Sequence, residues 1–133
     1  MAGVRELRLV VTAEDYDEAL RFYRDVLGMP ERAAYEAEGG HVTILEAGVA
    51  TLELTDPRHA AYIDQVEVGR RVAGHIRVAL QVDDSAAATD HAVAAGANLI
   101  APPTRTPWGD RNARLDAPAG LQLTLFSEDA DTS

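Results

Sequence analysis

Residues 15–28 read DYDEALRFYRDVLG, and the fold follows from what this stretch is forced to do. Asp15 followed three residues later by Glu18 is a capping box, and Gly28 supplies a left-handed stop. Between them Tyr16, Ala19, Leu20, Tyr23, Val26 and Leu27 recur at helical spacing, with charges opposite. The spacing predicts a one-sided helix of about three and a half turns that needs an apolar surface to lie on. A weaker copy stands at residues 84–96, DSAAATDHAVAAG, again acid-led and glycine-stopped. Its buried side is mostly alanine, which lets it approach a sheet closely.

The flanks of the two helices repeat as well. An alternating strand precedes each, ELRLVV from Glu6 and RVALQV from Arg77. Short alternating segments follow each, ending in TLELT at 51–55 and QLTLF at 122–126. One offset of 71 residues sets Glu6 on Arg77, Val11 on Val82, Glu53 on Thr124 and Leu54 on Leu125. The helices slip by a residue or two because the first strand–helix turn is longer. This pattern predicts an α+β fold in a single domain over 1–133, with one βαβββ module at 5–56 and a second at 75–127. Residues 57–74 connect them.

Composition limits the function. The chain has 133 residues, 47% hydrophobic and 26% charged, enough for one domain with a proper core. No apolar run is long enough to span a bilayer and no leader pattern is visible, so no membrane partner and a cytoplasmic location are expected. With no cysteine, disulfides, thiolate metal sites and cysteine nucleophiles are excluded. A net charge of −10 argues against nucleic acid. It suits a cationic small molecule, or solubility alone.

Along the chain, strands are expected at 6–11, 32–37, 41–46 and 49–55, then at 75–82, 98–101, 112–116 and 122–126. Prolines forbid a central strand between Pro102 and Pro107. The 57–74 connection includes a short helical piece near 58–63 and carries His59, Tyr62, Glu67, Arg70 and Arg71. It reads as an ordered loop over a site or as a plain linker. In the opening strands Leu7, Leu9, Val11, Ile76, Val78, Leu80 and Val82 face the helices.

The segments FYRDVLG, TLELT, GHIRVALQVDD and WGDRNARLDAPAGLQLTLF together resemble the vicinal oxygen chelate superfamily. That superfamily includes glyoxalase I, bleomycin-resistance proteins, fosfomycin-resistance enzymes and ring-cleaving dioxygenases. The resemblance covers roughly residues 5–127. It implies two βαβββ modules curled into a cup-shaped mixed sheet, helices on the convex side, ligand inside, and a homodimer. Combined with the alternation, it points Glu6, Arg8, Glu53, His75, Arg77, Gln81, Gln122 and Thr124 into the cup.

Metal-dependent members of the superfamily place ligands on four strands, and by register these fall at Glu6, Glu53, Arg77 and Thr124. A guanidinium cannot ligate a cation and threonine is a poor substitute, so no bound metal is expected. Arg77 reads instead as a fixed charge paired with Glu6 or Glu53. A shifted site of Glu6, Glu53 and His75 holding Zn, Ni or Fe is the alternative.

Without a metal, the chain is most similar to the bleomycin-resistance type, which sequesters a drug without turnover. Trp108 then stacks on ligand, or plugs against Pro107. Tyr62, Glu67 and Arg111 are candidates at the mouth. Arg105, Arg111 and Arg114 suit a carboxylate or phosphate, or pair with Asp110 and Asp116 on the surface. The leading expectation is a small-molecule binding protein. The alternatives are a metal-dependent lyase, isomerase or dioxygenase, in which Glu6 and Glu53 serve as ligands or as acid and base, and an interaction module whose cup is closed by salt bridges.

Overall fold

The computed structural model describes residues 8, 9, 11–50, 53 and 56–129. Asp15 caps α1 (Tyr16–Leu20) by accepting the Glu18 N–H at 3.0 Å. The helix does not remain α-helical as far as Gly28. It widens into a π turn over Arg21–Val26, where the Leu27 N–H donates to the Phe22 carbonyl five residues back. At this wider turn Phe22 enters the core, while the Tyr23 hydroxyl donates to the Pro118 carbonyl at 2.8 Å. Burial raises the Tyr23 pKa, so the phenol keeps its proton.

An antiparallel hairpin follows, β1 (Glu31–Ala37) and β2 (Gly40–Leu45), close to the expected spans. The strands expected at 6–11 and 49–55 fare differently. Arg8, Leu9, Val11, Val49, Ala50 and Glu53 lie in none of the strands formed by the described residues. The rest of those two segments, Glu6 included, lies outside the described residues.

Asp56 accepts the His59 N–H at 2.8 Å and starts α2 (Pro57–Glu67) with proline in its first turn. This helix is longer than the piece expected at 58–63, because nothing breaks it before Gly69. Next come β3 (Val78–Gln81), α3 (Ser85–Ala94), β4 (Asn98–Arg105), β5 (Asp110–Ala117) and β6 (Leu121–Glu128). The four strands form one sheet in the order β3-β6-β5-β4, parallel between β3 and β6 and antiparallel elsewhere. Contrary to expectation, β4 continues past Ala101 through Pro102 and Pro103. Among the described residues it is an edge strand, and its register slips twice, so the missing N–H groups interrupt no ladder.

Alternation along β5 and β6 separates two environments. Ala113, Leu115, Leu123 and Leu125 pack with Phe22, Ala92 and Ala97, and Val78 and Leu80 lie against this cluster. Ile76 does not join them and is 58% exposed, because β3 begins only at Val78. The opposite face of the sheet meets α2. The architecture is thus a mixed α+β fold with two sheets.

Leu125 has no exposed surface. Leu125→Ala is expected to cost about 2–5 kcal/mol of stability, read from urea unfolding midpoints at unchanged slope.

Candidate functional site

On the polar face of the sheet, Asn112 and Arg114 of β5 alternate with Ala113 and Leu115, and Gln122 and Thr124 of β6 alternate with Leu123 and Leu125. Arg114 and Thr124 are register partners. Helix α2 lowers Asp64 and Glu67 onto these residues, three apart and therefore on one helical face.

The Arg114 guanidinium is fully buried. It donates 2.7 Å to Asp64 Oδ1, 2.8 Å to Glu67 Oε1 and 2.8 Å to Gln122 Oε1, while its Nε has no acceptor. The second Glu67 oxygen accepts from Asn112 Nδ2 at 2.8 Å. The second Asp64 oxygen takes Arg71 Nη1 at 2.7 Å and the Val72 and Ala73 N–H groups at 2.9 Å each. Residues 71–73 are thereby tied to the helix. Gln122 adds a bond from Nε2 to the Val72 carbonyl.

Burial pushes the Asp64 carboxyl up, but the Ala73 N–H, Arg114, the Val72 N–H and Arg71 outweigh it and hold the pKa well below the usual range. Arg77, half-buried, donates 2.6 Å to Thr124 Oγ1, whose hydroxyl in turn faces Glu67 Oε1 at 3.4 Å. Burial lowers the Arg77 pKa and Arg114 lowers it further, against attraction from Glu67, Asp64 and Glu53.

Several expected site residues go elsewhere. Glu6 is outside the described residues. Glu53 is exposed, and Arg77 makes no ion pair with it. Its attraction acts only at longer range. Arg8, His75 and Gln81 are exposed. Glu67 is a buried partner of Arg114, not a mouth residue. Arg111 stands one residue out of step with Arg114 and pairs with Asp129 at 3.2 Å. Arg105 also pairs with Asp129. Arg114 is neither an anion receptor nor a surface partner of Asp116. Tyr62 and Trp108 do come together, 6.5 Å between ring centroids, with His59 5.8 Å from Tyr62 and all three exposed.

Among the described residues no three His, Asp or Glu side chains are placed to hold a metal ion. A second feature is an open groove of about 360 Å³ between α1 and the hairpin, lined by Tyr16, Tyr35, His41 and Thr43 among others. No helix among the described residues is long and apolar enough to cross a membrane.

The model of the Glyoxalase/Bleomycin resistance protein/Dioxygenase superfamily matches residues 7–125. The chain belongs to this superfamily. No curated protein matches it. Among solved structures, a glyoxalase family protein from Bacillus cereus aligns with TM-score 0.64 at 16% identity, over 98% of this chain and 99% of that one. A protein of unknown function from Agrobacterium tumefaciens gives 0.63 at 21%, over 96% and 97%. A glyoxalase-related enzyme from Fulvimarina pelagi gives 0.56 at 18%, over 94% and 89%. At these identities the superfamily likeness carries the fold alone.

Because the folded pKa of Asp64 is depressed, its contribution is complete above the unfolded value of about 4 and fades as pH falls below that. Asp64→Asn is expected to cost about 3–5 kcal/mol at pH 7. The gap from the unmodified protein should narrow at pH 3, as measured by urea unfolding at the two pH values.

Proposed function

We propose that the protein binds a small organic molecule against the polar face of the sheet without a catalytic metal, as a non-turnover member of its superfamily. The observation that supports this reading is the bond from Arg77 to Thr124. These two positions correspond to metal ligands in the resemblance, yet one carries a fixed cation that is bonded to the other. Arg114 lies buried close behind, its charge already met by Asp64 and Glu67. A divalent ion would be repelled by Arg77, and threonine replaces neither a carboxylate nor an imidazole. The described residues at these positions do not fit a metal.

The same proposal includes two facing modules that form a cup, a homodimer as in the resemblance, and no nucleic-acid partner, in keeping with the net charge of −10. Trp108 and Tyr62 supply an exposed aromatic surface beside the middle of α2, suited to the body of a planar ligand.

Calorimetry with Ni²⁺ and Zn²⁺ tests the metal-free reading. The unmodified protein should show no binding tighter than about 10 µM, and Arg77→His should gain affinity through the new imidazole with Glu6 and Glu53. Tight binding by the unmodified protein would revive the metal-dependent lyase or dioxygenase. An NMR screen of small aromatic compounds tests the binding itself. Saturable shifts are expected at Ala79 and Thr124, and a screen without any such shift would overturn the reading.

A further inference from the structure

Direct ion pairing on the polar face is uneven. Of its three guanidinium groups, Arg71 and Arg114 pair directly with the carboxylates of Asp64 and Glu67, while Arg77 feels those two and Glu53 only at longer range. Both carboxylates are committed. Asp64 spends its oxygens on Arg114, Arg71 and two backbone N–H groups, and Glu67 spends its oxygens on Arg114, Asn112 and Thr124. Arg77 is the cation left over. It has five N–H donors and uses one nitrogen on a neutral hydroxyl, with no ion pair.

We propose that Arg77 anchors an anion, and that the ligand of this face is a carboxylate carrying an apolar body.

The inference rests on the binding reading above and gives it a chemical class. A half-buried guanidinium with no carboxylate in direct contact among the described residues is poorly solvated by water, and a carboxylate takes its remaining N–H groups two at a time. Burial and the neighbouring Arg114 already strain this charge, as the direction of its pKa shift shows. The net charge of −10 does not forbid an anion here. Surface charges farther than about 8 Å are screened at physiological salt, so the directly unpaired N–H groups of Arg77 decide. The apolar body has a place as well. Along the same face of β3, Ala79 follows Arg77 and pairs with Thr124, and Gln81 pairs with Phe126. Ala79 is exposed and Phe126 half-buried, so the sheet beside the cation is small and apolar before it becomes polar again at Gln81.

Benzoate and its neutral analogue benzamide separate the two ideas. NMR and calorimetric titrations of the full chain should show benzoate binding at least about tenfold more tightly than benzamide. Arg77→Gln should remove that preference by weakening benzoate while benzamide is unchanged, and Arg77→Lys should keep part of it, which controls for folding. Equal affinities in the unmodified protein, or a preference that survives Arg77→Gln, would overturn the anchor and leave the binding reading standing. If neither compound binds, the carboxylate-ligand proposal falls, and the aromatic screen decides separately whether the binding reading falls with it.

Discussion

Burying a guanidinium is tolerable only if its charge is met and most of its donors are bonded, and the arrangement of this protein follows from meeting the charge and three of the five donors of Arg114. Two carboxylates are needed, and the sheet supplies neither: its own residues there are Asn112, Gln122 and Thr124. Both acids come from α2, fifty and forty-seven residues earlier in the chain. The helix is therefore held on the sheet by charge and not by an apolar stripe. Its oxygens then recruit the following segment, since Asp64 also fixes the Val72 and Ala73 N–H groups. A stretch rich in arginine and valine is turned into ordered backbone, and the chain is delivered to the start of β3. Whether the network adds net stability relative to an apolar core is a separate matter. Removing one partner leaves the others desolvated, and that asymmetry makes the arrangement hard to abandon.

Much of the second half was legible in the sequence because local signals agree there. The acid cap at Asp84, the glycine at Gly96, the alternation into Leu123 and Leu125 and the turn at 118–120 all select one structure. The hairpin β1–β2 was legible for the same reason. The π turn was not, since an extra residue per turn leaves no mark in a pattern read at 3.6 residues. The course of β4 was misread because proline rules out a central strand, whereas an edge strand tolerates it. The ion network was missed for a physical reason: a charge in sequence reads as a solvated face, and only tertiary contact reveals that both sides of β5 are covered. One signal was available. Asn112, Arg114, Gln122 and Thr124 occupy matched alternate positions on two central strands, and a helix with acids three apart lies upstream. Polar residues in such a register call for partners of opposite charge.

The site is therefore divided in two by the same face of the sheet. Where α2 covers it, polar groups satisfy one another and rigidity results. Toward β3 the cover ends, and Arg77 is left with a hydroxyl where Arg114 has two acids. Thr124 sits at the boundary, accepting from one arginine and facing the carboxylate that serves the other. A change in the charge near Arg77 is thus felt by Glu67 through one hydroxyl.

The prolines of β4 have an effect beyond the strand itself. At an open sheet margin, each outward N–H is an invitation for a foreign strand to dock and for copies to stack without limit. Successive N–H groups of a strand point to opposite sides, so one of Pro102 and Pro103 withdraws a donor from that margin, and the two slips in register spoil the spacing of the rest. A second chain laid along β4 finds an interrupted template, so fibre-like growth from that side is blocked by covalent structure and does not depend on surface charge or salt.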